Sequence, residues 1–182
     1  MAMGQLRKRI LLGLLAAFAL LQIYQPERTN PPLDPLASIT VEARMPSTVE
    51  ATLRRACYDC HSHETKWPVY AYVAPASWLV ADDVRHAREH LNFSAWSSYD
   101  KERKTDKLGE LCEQITMGEM PLKKYTLLHP SAKLSEADKK AVCDWSDQLR
   151  EKLEAMPAPT GAEKGKAKSP PEPKHNPDHK HE

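Results

Sequence analysis

The chain has little of several things, and each shortage narrows what it does. Its formal net charge is +1 over 182 residues, so nothing in the balance points to nucleic acid or an acidic polymer as partner. It has two phenylalanines, and aromatic residues reach only 7%, a sparse supply for the core that a 41% hydrophobic content can build. Cysteine is limited to Cys57, Cys60, Cys112 and Cys143. No βαβ pattern surrounds the first pair, as a thioredoxin-like dithiol requires, and no second close pair of ligands completes a zinc site. Nothing resembles paired carboxylates or an activated nucleophile. The fifteen prolines cluster largely outside the middle of the chain, which leaves room for one domain with extensions at both ends.

What is present centres on Cys57-Tyr58-Asp59-Cys60-His61. Two cysteines separated by two residues and followed directly by histidine form the attachment signal for a c-type haem. Each thiol adds across one vinyl group and becomes a thioether. The two intervening residues let one short turn reach both vinyls, and the next side chain, His61, then ligates the iron from the proximal side. A haem also supplies apolar bulk that the aromatic content lacks.

The N-terminus reads as an export signal. Arg7, Lys8 and Arg9 precede an apolar run from Ile10 to Leu21, extended by Ile23 and Tyr24. Residues 1–24 are expected to be an uncleaved membrane anchor, or else a signal peptide that is removed. Either way the rest of the chain is exported, with the basic residues left in the cytoplasm. Residues 25–45, with Asn30-Pro31-Pro32-Leu33-Asp34-Pro35, read as an extended linker holding the domain off the membrane. Outside the cytoplasm disulfides persist, so Cys112 and Cys143 are expected to pair.

The domain itself is expected over 46–156 and all-helical. Ser47 and Glu50 are placed for a capping box, opening a helix whose Val49, Leu53 and Ala56 share one face leading into Cys57. Trp67 and Tyr70, between helix-breaking Pro68 and Pro75, suit a haem wall, where an indole N–H or a hydroxyl reaches a propionate. A helix over about 75–91 carries His86 and His90 on one face, which reads more simply as solvated than as ligating. Another over 100–117 buries Leu108, Leu111, Cys112 and Ile115 and stops at Gly118. The last begins at Ser135, with Asp138 in the reciprocal capping position. Residues 157–182 form a low-complexity tail, expected to be disordered, that includes His175, His179 and His181.

From Cys57 to Trp145 the chain resembles the bacterial haem-binding domain family, a small exported cytochrome c-like module. The residues that carry the resemblance are Cys57-Tyr58-Asp59-Cys60-His61-Ser62, Trp67-Pro68, Ala74-Pro75-Ala76-Ser77-Trp78-Leu79, Leu91-Asn92-Phe93-Ser94, Gly118-Glu119-Met120-Pro121 and Leu128-His129-Pro130. The resemblance implies a mostly helical domain around one covalent haem c. Met120, held in an irregular stretch by Pro121 as in many c-type cytochromes, is expected as the distal iron ligand, with His129 the alternative and Met117 and His86 behind it. The expected function is one-electron transfer with unidentified redox partner proteins, on the periplasmic side of the bacterial inner membrane, anchored there or soluble after cleavage. A haem-based gas or redox sensor, and a peroxidase-like enzyme with an open distal site, are the competing readings.

Overall fold

The computed structural model describes residues 2–157, and the expected disordered tail, with its three histidines, lies outside them apart from Pro157. The described residues contain helices and turns and no strand, as the all-α reading requires. The eight α-helices are α1 (Ala2–Leu21), α2 (Ile39–Glu42), α3 (Ser47–Ala56), α4 (Tyr58–His61), α5 (Ala76–His90), α6 (Lys101–Met117), α7 (Lys123–Leu128) and α8 (Glu136–Ala155). Short 3-10 turns at Pro35–Ala37, Val69–Tyr72, Phe93–Ser98 and Pro130–Ala132 link them.

The longest packed pair is α6 against α8. Leu108, Leu111 and Ile115 recur at helical spacing on α6 and meet Val142 and Trp145 of α8. Ser146 donates to the Leu108 carbonyl at 2.6 Å, and Cys112 is joined to Cys143. Residue 108 faces 146 while 112 faces 143, so the two helices run antiparallel. Caps account for the ends. Asp100 accepts from the Arg103 amide at 2.8 Å, Gly118 closes α6 at φ 75°, and Ser135 and Asp138 form a reciprocal box. The box expected at the start of α3 does not form. Pro46 occupies the cap position, Ser47 is already helical, and Glu50 pairs with Arg54 one turn on.

α3 packs Val49 and Leu53 onto this pair, and the turn after α5 adds Phe93 and Trp96. Two further core residues come from the segment expected to be linker. Ile39 is fully buried and Met45 nearly so, because the 3-10 turn at Pro35–Ala37 and α2 fold back over Trp96 and its neighbours. The boundary at 46 is therefore corrected. The prolines of residues 25–45 limit the bonds the stretch makes within itself, and several of its carbonyls and side chains find partners on the domain. Arg88 of α5 donates to the Thr29 carbonyl and to Asn30 Oδ1, and Asn30 donates to the Thr65 carbonyl.

α1 forms and its apolar side chains are exposed, but no helix among the described residues is long and apolar enough to cross a membrane. The reason is local: every 18-residue stretch of this 20-residue helix contains Arg7, Lys8 and Arg9.

Candidate haem site

The Cys57–His61 motif sits where α3 breaks. Cys57 closes the last turn of α3, its amide donating to the Leu53 carbonyl at 2.8 Å, then leaves helical geometry. Its own carbonyl receives the amides of both Cys60 (3.1 Å) and His61 (2.9 Å), which closes the single turn of α4. The two intervening residues point in opposite senses. Tyr58 is buried, stacks on Phe93 with ring centroids 5.1 Å apart, and shares a 2.8 Å hydrogen bond with Thr40. Asp59 faces outward and spends both oxygens: Oδ1 accepts from the Lys66 amide and Oδ2 from the Tyr125 hydroxyl at 2.8 Å. The turn is thus clamped from the core side and from the surface side.

His61 Nδ1 lies 2.9 Å from the Leu91 carbonyl, and that contact assigns the proton to Nδ1. Nε2 is left with its lone pair, the form in which imidazole ligates a metal. Burial holds the His61 pKa below its ordinary value, the Leu91 carbonyl opposing that in part, so the ring is neutral near pH 7. Burial also pushes both thiols up to about 12, with Cys60 adding to the effect at Cys57, and Asp83 and Asp59 adding to it at Cys60. A redox dithiol depends on a thiolate of depressed pKa. These thiols are the reverse, and they are free. Among the described residues no group of three or more potential ligands gathers for a zinc site.

The surroundings carry marks of a large planar group. Trp67 has a buried indole nitrogen with no partner among the described residues, in the loop whose Lys66 amide binds Asp59. An unmade buried hydrogen bond is costly, and a carboxylate on the bound group would satisfy it. Asp83 acts on Cys60, so its side of α5 faces the motif. Leu79 lies four residues before it on that side and is exposed. Lys124 pairs with Asp83 at 2.9 Å, and Leu128, one turn further along α7, is exposed too. Tyr70 is half-buried beside Cys60 and Asp59, which along with burial raise its pKa. The donor set, the orphaned indole and the uncovered leucines all fit a haem.

The expected distal ligands are placed unequally. Met120 is half-buried, its amide bonded to the Gln114 carbonyl, and it lines a shallow depression of about 270 Å³ with Lys123, Thr126 and Lys133 among others. Lys123 and Thr126 are the back of α7, whereas Lys124 and Tyr125 turn towards Asp83 and Asp59. His129 is on the latter side. Its ring stacks on Tyr125 at 4.3 Å, stands 6.1 Å from Tyr70, and its Nδ1 bonds the Tyr125 carbonyl at 3.1 Å. Met117 is 64% exposed, and His86 is turned to Asp82 on the surface.

Several positioning residues carried no signal in the motif reading. Arg88 binds the Ser62 carbonyl, Thr65 Oγ1, Thr29 and Asn30 at once, and so pins the loop after His61 to the N-terminal strap. Tyr125 and the Leu91 carbonyl act on the motif from 66 and 30 residues away. The helical spacing of Asp83 towards Cys60 was available in principle, but only once the two helices were known to meet.

No curated protein and no solved structure matches the chain. A family model described as a haem-binding domain matches residues 16–148, well over half of the sequence. With the thiol pair, the oriented imidazole and the orphaned indole of the same segment, that match settles the family: the chain belongs to the haem-binding domain family.

Proposed function

We propose that the chain holds one haem c through thioethers to Cys57 and Cys60, with His61 as the axial ligand, and works as a one-electron carrier on the periplasmic side of a bacterial inner membrane. The observation that carries this reading is the Nδ1 contact of His61 with the Leu91 carbonyl, directly after two unpaired, protonated thiols. Bound there, a haem supplies a one-electron ferric/ferrous couple whose potential follows the axial ligands and burial. The chain's own part is orientation. Leu91 fixes the imidazole tautomer and ring plane, Tyr58 and Asp59 hold the thiol turn rigid, and Trp67 offers a donor to a carboxylate. A rigid shell of this kind limits rearrangement between oxidation states.

For the sixth position the geometry supports His129 ahead of Met120. His129 is connected to the motif through Tyr125 and Asp59, and its Nδ1 contact leaves Nε2 for a metal as in His61. Met120 lines the depression on the other side of α7, with Lys123 and Thr126, and has no such connection to the motif. The deciding experiment is spectroscopic, on the holoprotein and on His129→Ala and Met120→Ala. Low-spin spectra in both oxidation states without carbon monoxide binding support electron transfer. A high-spin or readily CO-binding iron supports the sensor or peroxidase-like readings instead. Near-infrared bands of bis-histidine ligation, abolished in His129→Ala alone, support His129. Loss of a six-coordinate spectrum in Met120→Ala alone restores the methionine.

A further inference from the structure

The end of α1 is fastened to the domain. Gln22 pairs its side-chain amide with both backbone groups of Ala74: Oε1 accepts from the Ala74 amide at 2.9 Å, and Nε2 donates to the Ala74 carbonyl at 3.2 Å. Two residues on, the Trp78 indole donates to the Tyr24 carbonyl at 2.9 Å, and the two rings pack 6.4 Å apart. Arg28 then lies 4.6 Å over the Tyr72 ring. The apolar helix therefore continues into one particular face of the domain.

Apart from the Arg28 guanidinium over Tyr72, that face is apolar and exposed. Ile23 and Tyr24 are exposed, and so are Tyr72 and Val73 on either side of the contacts just named. Val69 is 85% exposed. In a 3-10 turn residues three apart eclipse one another, so Val69 and Tyr72 stand on one side while Ala71 is buried on the other. The nearest charges on α5, Asp82 and Asp83, are paired with Arg85 and Lys124. Glu27 is turned to Thr29. Tyrosine and tryptophan with wet tips beside an apolar helix are the composition of a membrane–water boundary.

From this continuity we propose that the face formed by Ile23, Tyr24, Val69, Tyr72 and Val73 rests on the lipid bilayer into which α1 inserts, fixing the orientation of the haem domain on the membrane. The inference rests on the anchoring reading above. The apolar run Ile10–Leu21 spans about 18 Å as helix, well short of the roughly 30 Å hydrocarbon layer. A helix this short buries its side chains only if the groups at its ends are drawn towards the headgroups. One end is basic and can snorkel. The other end is this face, and the Gln22 clasp removes the slack that a free linker would provide. Tyr70 belongs to the same turn and lies near enough to Cys60 to feel its charge, so the turn joins this face to the haem motif.

The test uses the full-length holoprotein in vesicles of phosphatidylethanolamine and phosphatidylglycerol, with a nitroxide on Val69→Cys and, for comparison, on Lys140→Cys of α8. The expected result is co-flotation with vesicles and a several-fold lower accessibility of label 69 than label 140 to a water-soluble paramagnetic quencher, with a matching gain in accessibility to oxygen. Equal accessibility of the two labels on vesicle-bound protein overturns the docked face and leaves the anchor standing. Failure to co-float overturns the anchoring reading and the docked face with it.

Discussion

Asp138 is a polar contact between the C-terminal helix α8 and α3, which leads into Cys57, and its removal has a calculable cost. One carboxylate accepts from the Ser135 amide at 2.8 Å and hydroxyl at 2.7 Å, accepts from Thr52 of α3 at 3.2 Å, and pairs with Arg55 of α3 at 2.7 Å. Arg55 in turn donates to the Ser131 and Lys133 carbonyls, two residues before Cys57 in sequence. A lost capping interaction costs about 1 kcal/mol, a net hydrogen bond to a charged group somewhat more, and a partly exposed ion pair under about 1 kcal/mol. The contacts share one carboxylate and are not additive, so Asp138→Ala is expected to cost about 2–3 kcal/mol, or roughly 1–2 M in the urea midpoint at an ordinary m-value. Ser135 and then Arg55 hold the Asp138 pKa well below the usual carboxylate range. The sign follows. A depressed folded-state pKa stabilises above the unfolded value of about 3.9 and is lost as pH falls through the folded value. The gap between wild type and Asp138→Ala should therefore be constant from about pH 5 to pH 8 and shrink below about pH 4. Urea titrations of the holoprotein followed by far-ultraviolet circular dichroism measure it. A cost under about 1 kcal/mol at pH 7, or a gap that persists undiminished at pH 2, refutes the reasoning.

Three further outcomes are expected. Replacing Cys112 and Cys143 by Ala removes a cross-link over a separation of 31 residues, which should cost about 3.5 kcal/mol by loop entropy and leave the haem spectrum unchanged; a change of spectrum would tie the bond to the site. Haem in the native protein should survive acid–acetone extraction, whereas Cys57→Ser and Cys60→Ser should each retain at most one linkage, as read by intact mass. Trp67→Phe should keep the fold, since no partner among the described residues uses its N–H, yet shift the reduction potential by removing a donor to the bound group; an unmoved potential would place the indole outside the haem wall.

How far the sequence could be read follows from the range of each interaction. The haem-binding family is legible because the motif that signals it occupies five consecutive residues, Cys57 to His61. Two helix ends were legible for the same reason: Gly118, and Ser135 with Asp138, act within one turn, and the structure has them acting there, whereas the cap made by Asp100 was not foreseen. The start of α3 misled because Ser47 and Glu50 match the box by spacing, while Pro46, already extended, takes the cap and Arg54 draws Glu50 away. The linker reading of 25–45 left more out, since Ile39 and Met45 enter the core. The prolines of that stretch forbid a long helix or a central strand, so only the turn at Pro35–Ala37 and the short α2 form, and side chains elsewhere bond to the rest. Arg88 does so from 58 and 59 residues away, and Gln22 reaches Ala74 across 52.

Bonds of that kind leave no periodicity. They also decide what the motif can do. Nε2 of His61 is free only because a carbonyl 30 residues on takes Nδ1, and that carbonyl sits where α5 ends beside the buried Phe93. The identity of the cofactor is thus written in one local turn. The surroundings of that turn depend on α5, α7 and the segment before α3, which reach it from three separate parts of the chain.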